Sequence, residues 1–207
     1  MMLPRQFYER PTLDVAPDLI GKVLNLIHED GSHLKGRIVE VEAYIGPNDR
    51  ASHTYGGKQT TRNQAMFKRG GTAYVYIIYG LHHCMNVVTR GTGKPEGVLL
   101  RAVEPLAGLH AMSERRYGKR PDELTKPERI NLTNGPGKLG QAFGISRDEM
   151  NGHDFLTSSL FLEDGERGNV LQSRRIGIPN SGEAKDYLWR FYEADNPYVS
   201  KHPKVTV

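Results

Sequence analysis

Glu40 and Glu42 stand two residues apart in the run Glu40-Val41-Glu42-Ala43-Tyr44. On an extended strand that spacing puts both carboxylates on one face, with Cβ atoms ~7 Å apart. Ile38 and Tyr44 fall on the same face by alternation and half-bury it, while Val39, Val41 and Ala43 take the other. A carboxylate so placed needs a partner, and its proton affinity is then tuned by its neighbours, which suits general-base or electrostatic work. The plain alternative is a solvated strand face, where most glutamates belong.

Downstream of these acids, the window from Arg50 to Pro95 holds seven Lys or Arg residues and no Asp or Glu. Tyr55, Tyr74, Tyr76 and Tyr79 are set into the same window. Positive charge interleaved with stackable rings is what a phosphate backbone carrying bases selects. Tyr74 and Tyr76 project from one strand face and fit a core or pocket wall. Tyr79 precedes Gly80 at a turn tip, where a large ring has little core to enter and can act as a wedge in a duplex. Acid, rings and basic track together suggest chemistry on a nucleic-acid base. A nucleic-acid-binding module without catalysis explains the track and Tyr79 but not Glu42. A carbohydrate glycosidase using Glu40 and Glu42 as a pair explains the acids but not the acid-free window.

Other chemistry-bearing motifs carry less. His82-His83-Cys84 offers metal-ligand types, but adjacent side chains on a strand diverge and cannot share one ion. Gly135-Pro136-Gly137-Lys138 lacks the spacing and hydroxyl of a nucleotide-binding P-loop, yet a glycine-rich helix start with a lysine suits one backbone phosphate. Cys84 is the only cysteine, so no intramolecular disulfide is possible. The formal charge of +4 and pI near 9.1 mildly favour a polyanionic partner. No apolar run reaches membrane-spanning length and no apolar signal core follows Met1-Met2-Leu3-Pro4-Arg5, so the expectation is a soluble cytoplasmic protein, nucleoid-associated in a bacterium or nuclear in a eukaryote.

The elements that must position these residues follow from periodicity and turn chemistry. One domain spanning 1–207 is expected, with ample chain for a core. A short helix over 12–21 is capped by Thr12 and closed by Gly21. Strands 22–27 and 34–44 form a hairpin around Glu29-Asp30-Gly31. Residues 60–67 read as a short helix; 72–79 and 84–89 as paired strands about Gly80; 97–104 as a strand ended by Pro105; 106–117 as a helix. Residues 118–130 read as an exposed excursion, and a helix opens at Asn134-Gly135-Pro136 and runs to about Phe143. Leu160–Leu162, Arg175–Ile178 and Leu188–Tyr192 read as further strands. Strands neither alternate regularly with helices nor stand alone, so the fold class is α+β with a largely antiparallel sheet.

The segment Arg37 to Pro47, continued by Ala51-Ser52-His53, resembles the 3-methyladenine (alkyladenine) DNA glycosylase family. So do Gln59–Asn63, Met66-Phe67, Tyr74–Gly80, Cys84–Val87 and Val98–Pro105, with looser likeness from Phe7 to Ser200. The resemblance implies a single mixed domain around a curved antiparallel sheet with a protruding β-hairpin. It implies a monofunctional enzyme that flips alkylated or deaminated purines out of double-stranded DNA and hydrolyses their N-glycosidic bond. By position, Glu42 matches the water-activating carboxylate and Arg101 the arginine near that water and the target phosphate. Tyr44, His53 and Tyr76 match the walls around the flipped base, and Asn86 the residue that discourages a guanine 2-amino group. Tyr79 matches the ring that fills the gap in the duplex. Lys58, Thr60, Arg62, Met66 and Lys138 fall on positions like DNA-contacting ones. Where some relatives carry aromatic residues after the Tyr-Gly turn, this chain has His82 and His83. No metal, cofactor or Schiff-base lysine is required. Glu40 is expected to be a structural acid paired to Arg101 or another basic residue, and a monomer is expected because a DNA-scanning enzyme of this size needs no partner. The acid at 42 is expected to share a cavity with the rings at 44 and 76.

Overall fold

The long apolar-rich run ending at Tyr44 becomes the central strand of the protein. In the computed structural model, which describes residues 1–200, β1 (Val23–Ile27) and β2 (His33–Tyr44) form the first hairpin. β3 (Ala73–Ile78) and β4 (His82–Thr89) form the second, and β5 (Glu96–Ala107), β6 (Leu160–Glu163), β7 (Val170–Ser173) and β8 (Arg190–Glu193) follow. They make one curled antiparallel sheet in the order β3-β4-β5-β2-β1-β6. β2 is long enough to take two partners on one edge: β1 along residues 33–37 and β8 along Glu40–Glu42. β7 extends that second arm. Six short helices cover the sheet: α1 (Arg5–Tyr8), α2 (Thr12–Leu19), α3 (Leu109–Tyr117), α4 (Lys126–Ile130), α5 (Pro136–Phe143) and α6 (Arg147–Met150). The fold is mixed α+β, as the pattern of strands and helices predicts.

One main core gathers Leu24, Leu26, Leu34, Ile38, Val41 and Ala43 from the first hairpin with Val98, Leu100 and Val103 of β5, and Leu139 and Phe143 of α5. Ile38 therefore parts company with Glu40, Glu42 and Tyr44, contrary to simple alternation. Pairing with β5 explains this: Ile38 faces Val103 while Glu40 faces Ala102, so Val39 is an extra residue. Glu40 facing Ala102 and Val41 facing Leu100 then leave Arg101 as an extra residue on β5. Such bulges re-aim side chains.

Other boundaries shift for local reasons. β5 continues through Pro105 because the register slips there, between Lys35/Ala107 and Gly36/Pro105, and a bulge tolerates proline. α3 consequently starts later than expected. Thr12 does not cap α2; its hydroxyl bonds Thr89 Oγ1 at 2.7 Å, and Pro11 occupies the cap position. Residues 118–130 are not a bare excursion. A 3₁₀ turn at Pro121–Glu123 leads into α4, whose cap Thr125 and Glu128 form a reciprocal capping box. Arg175–Ile178 is irregular chain and not a strand; β7 lies just before it.

The β3–β4 hairpin turns through Tyr79 (φ +50°) and Gly80 (φ +70°), closed by Leu81 N–H donating to Ile78 O at 3.2 Å. Two successive left-handed residues match the right-handed twist of the strands, as in a type I′ turn. Close to this turn, β4 is seated on α5 where Gly140 leaves no side chain, since a Cβ there would run into His83 O. His83 Nδ1 accepts the Arg147 backbone N–H at 2.8 Å, so this ring helps fasten the hairpin to α6.

Candidate active site

The two bulges put Glu40, Glu42 and Arg101 together under the curl of the sheet. Glu40 has no exposed surface. Its carboxylate accepts from Arg101 Nε and Arg190 Nε at 2.8 Å each, and from the Ser200 backbone N–H and hydroxyl at 2.7 Å each. Burial alone would raise its pKa, but the two guanidiniums and Ser200 outweigh burial and hold it below the usual carboxylate value. Glu42, also without exposed surface, accepts from the Ile176 backbone N–H at 2.7 Å and the Tyr44 hydroxyl at 2.8 Å. Arg101 Nη1 stands 3.4 Å from Glu42 Oε1. Burial works against the charge of Arg101, yet Glu42 and Glu40 overcome this and raise its pKa. Burial, reinforced by the charge of Glu42, raises the Tyr44 hydroxyl well above its ordinary value, so it stays a donor.

In front of Tyr44 and Arg101 lies a cavity of about 390 Å³, enough for a bicyclic base. Tyr74, Tyr76, Asn86, Cys84 and Met66 line one side, with His53 at the mouth and Ile176-Gly177-Ile178 across from them. His53 meets Tyr76 edge-on at 4.6 Å between ring centres, and its Nδ1 shares a 2.9 Å hydrogen bond with the Tyr74 hydroxyl. Desolvation lowers the His53 pKa, with Arg62 adding to the effect, so the ring is neutral at pH 7. Burial pushes the Tyr74 hydroxyl up to about 12 and the Cys84 thiol to about 11, leaving the lining uncharged apart from Arg101. Asn86 is 5% exposed and donates to Tyr74 O at 3.2 Å. Tyr79 stands at the rim, 91% exposed, with Leu81 beside it at 79%.

The sequence-predicted residues thus divide into groups. Tyr44, His53, Tyr76, Asn86 and Arg101 converge on the cavity and Tyr79 on its rim. Glu42 reaches it only through Tyr44, Arg101 and Ile176, each of which touches its carboxylate; the acid was expected to open into the cavity, and instead it is enclosed one layer behind the wall. Met66 is 3% exposed in that wall, away from any backbone track. Lys58, Thr60 and Arg62 border a shallow cleft that adjoins the cavity at Ser52 and His53. Asn63 stitches this loop by donating to His53 O and Lys58 O. Lys138 lies elsewhere, in a second cavity of about 550 Å³ that Arg101 also borders, with Nζ held by Asn131 and Asn134 Oδ1 at 2.8 Å each. Part of the linear basic window is neutralised across the fold, Arg69 by Glu9 and Arg90 by Glu96. Among the described residues no trio of His, Cys, Asp or Glu could hold a metal ion, and no helix is long and apolar enough to cross a membrane.

Several contributors escaped the residue patterns. Ile176 acts through its backbone, which no side-chain motif reports. Arg190 and Ser200 reach Glu40 from 150 and 160 residues away. Asp49 belongs to no motif in the chain, yet it forms a wholly buried pair with Arg175 at 2.6 Å.

The site is an aromatic slot for a flat ring, backed by a buried carboxylate–guanidinium pair and rimmed by an exposed tyrosine. Residues 6–197 match the model of the family described as Methylpurine-DNA glycosylase (MPG), and the chain belongs to that family. It is 51% identical over 203 residues to a protein of Clostridium acetobutylicum, covering 97% of this chain and 98% of that one. It is 50% identical over 205 residues to one of Clostridium tetani and 48% identical over 204 residues to one of Alkaliphilus oremlandii, in each case 97% of this chain and 100% of the relative. All three relatives bear the provisional name 3-methyladenine DNA glycosylase.

Proposed function

We propose that the protein is a monofunctional DNA glycosylase that turns an alkylated or deaminated purine out of duplex DNA and hydrolyses its N-glycosidic bond. The observation that carries this reading is the Glu42–Tyr44–Arg101 contact at the back of an aromatic cavity, uncharged apart from Arg101, whose rim bears Tyr79. A purine inside a duplex is out of reach, and extruding it costs a few kcal/mol, least for damaged or mispaired bases. Tyr79 fills the space left behind, and stacking against Tyr44, Tyr76 and His53 returns roughly 1–3 kcal/mol per base. Asn86 crowds the purine edge that carries a 2-amino group in guanine.

Bond cleavage builds positive charge on the sugar, which a buried carboxylate stabilises strongly. Glu42 takes a proton from the attacking water, and a single acid working through a water gives inversion at the anomeric carbon. For water to reach Glu42, one partner of its carboxylate has to yield. The Tyr44 hydroxyl borders the cavity and is uncharged, so the water takes over its place on Oε2 as the base enters. Arg101, held by Glu40, keeps its charge for the target phosphate.

Duplex oligonucleotides, each with one hypoxanthine, ethenoadenine, 7-methylguanine or 3-methyladenine, provide the test. The expected result is salt-dependent binding and lesion-dependent base release by the wild type, with release lowered by about 10³-fold in Glu42→Gln while lesion binding persists. Base release by Glu42→Gln at the wild-type rate would refute the assignment, and binding without release by the wild type would favour a purely DNA-binding protein.

A further inference from the structure

Residues 174–178 cross the back of the cavity without regular secondary structure, yet they supply Ile176, Gly177 and Ile178 to its wall. Arg175 holds this stretch down. Its side chain is wholly buried, and it grips Asp49 with both ends of its fork, Nη1 to Oδ2 at 2.6 Å and Nη2 to Oδ1 at 2.8 Å. Nη1 also donates to Ala43 O at 2.9 Å and Nη2 to Ala184 O at 3.2 Å. Asp49 in turn accepts from Ile45 N–H at 3.1 Å and Ala51 N–H at 3.0 Å, which ties it to the end of β2. The guanidinium carbon sits 4.6 Å from the centre of the Tyr44 ring and 5.0 Å from that of Trp189. The next peptide is the one whose N–H lies 2.7 Å from Glu42 Oε1.

We propose that Arg175, anchored by Asp49, is a positioning residue for the reaction: it backs the Tyr44 ring and sets the Ile176 N–H on Glu42, so that stacking platform and acid are held in one register. The proposal rests on the glycosylase reading of this site. Stability alone is a poor reason for the pair, since a buried ion pair is often no better than well-packed apolar residues of the same volume. Geometry is a better one. Only a planar guanidinium can grip a carboxylate bidentately, bond two carbonyls and lie against two rings at once; a lysine cannot. Misplacing reacting groups by about 1 Å can cost on the order of 10²-fold in rate.

Two folded variants test this, Arg175→Lys and the double variant Arg175→Met/Asp49→Asn. The double variant removes both charges together, so neither is stranded in the interior. Three readouts are taken on each: folded fraction by thermal melting, lesion-duplex affinity together with single-turnover base release at saturating enzyme, and emission of Trp189, the only tryptophan in the chain. The expected result is base release lowered by about 10²-fold with lesion affinity little changed, and a shifted Trp189 emission in the absence of DNA. Wild-type release by either variant, or a loss fully accounted for by the unfolded fraction, overturns the proposal. If the wild type itself releases no base, the glycosylase reading fails instead, and emission alone decides the clamp: unchanged emission in both variants overturns it.

Discussion

Glu40 and Glu42 occupy the same strand two residues apart, and both are wholly buried, but their surroundings differ in kind. Around Glu40 two guanidiniums and both donors of Ser200 converge; of these only Arg101, shared with Glu42, lines the aromatic cavity, while Ser200 borders the second one. Around Glu42 the partners are a peptide N–H, a tyrosine hydroxyl and the far end of Arg101, and each of these also lines the cavity. One neighbourhood is saturated, with two guanidiniums and two further donors on a single carboxylate. The other is satisfied by groups that a ligand can displace. Burial by itself does not separate a structural acid from a reactive one; what its partners touch on their other side does.

Substitution should separate the two acids by effect. Glu42→Gln preserves shape and should lower single-turnover base release by about 10³-fold with a near-normal melting temperature. Glu40→Gln should act mainly on stability, by about 3–5 kcal/mol, because Arg101 and Arg190 lose their common anion in the interior; the urea midpoint measures this. The pH dependence has a definite sign. The folded pKa of Glu40 lies below its unfolded value, so its contribution is fully present above pH 4.5 and disappears as pH falls through the folded pKa. Glu40→Gln should flatten that part of the acid-unfolding profile. A Glu40→Gln protein with wild-type stability would erase the distinction between the neighbourhoods.

The hairpin tip offers a smaller effect of opposite sign on stability and activity. Tyr79 is a non-glycine residue at φ +50° in a position that favours Asn, Asp or Gly. Tyr79→Asn should raise stability by about 1 kcal/mol while lowering lesion release on the order of tenfold, the equivalent of 1.4 kcal/mol of flipping energy. Parallel melting curves and excision rates would show whether strain at the tip is retained for use. Tyr44→Phe keeps the ring and frees Oε2 of Glu42, so base release should hold at or above the wild-type rate. A large fall in kcat would mean that the hydroxyl itself takes part.

The smallest effect concerns His53. Desolvation puts its folded pKa below 6.5, so the unfolded chain binds the extra proton more readily and stability falls as pH drops below 6.5 toward the folded value. His53→Asn should remove that slope in melting curves taken from pH 7.5 down to pH 5, leaving the Glu40-dependent loss at lower pH intact.

Much of this was readable from the chain because the informative signals are local. Alternation and turn chemistry locate β1 to β5, and Tyr79-Gly80 marks the turn from local sequence alone. The failures are equally specific. Alternation placed Ile38 with the acids because a bulge is a tertiary event, produced by pairing with β5 and invisible in β2 itself. Ile176 gives a peptide N–H, Arg190 and Ser200 arrive from distant sequence, and Arg175 lay in a stretch whose apolar residues imitate a strand. The acid-free basic window was legible as composition, but the partners that neutralise Arg69 and Arg90 are supplied by folding.

The extra residue at Val39 has a consequence for how this strand can vary. Because side chains along an extended backbone repeat every two positions, excising Val39 would remove the bulge and leave Ile38 and Val41 on their present face opposite Glu40 and Glu42, whereas excising a paired residue such as Val41 would flip everything on one side of it by half a period. Greasy positions would then point at the reaction chamber and ionised ones at the oil beneath. Of the single-codon deletions along β2, the one at Val39 is therefore the one that keeps both faces in place.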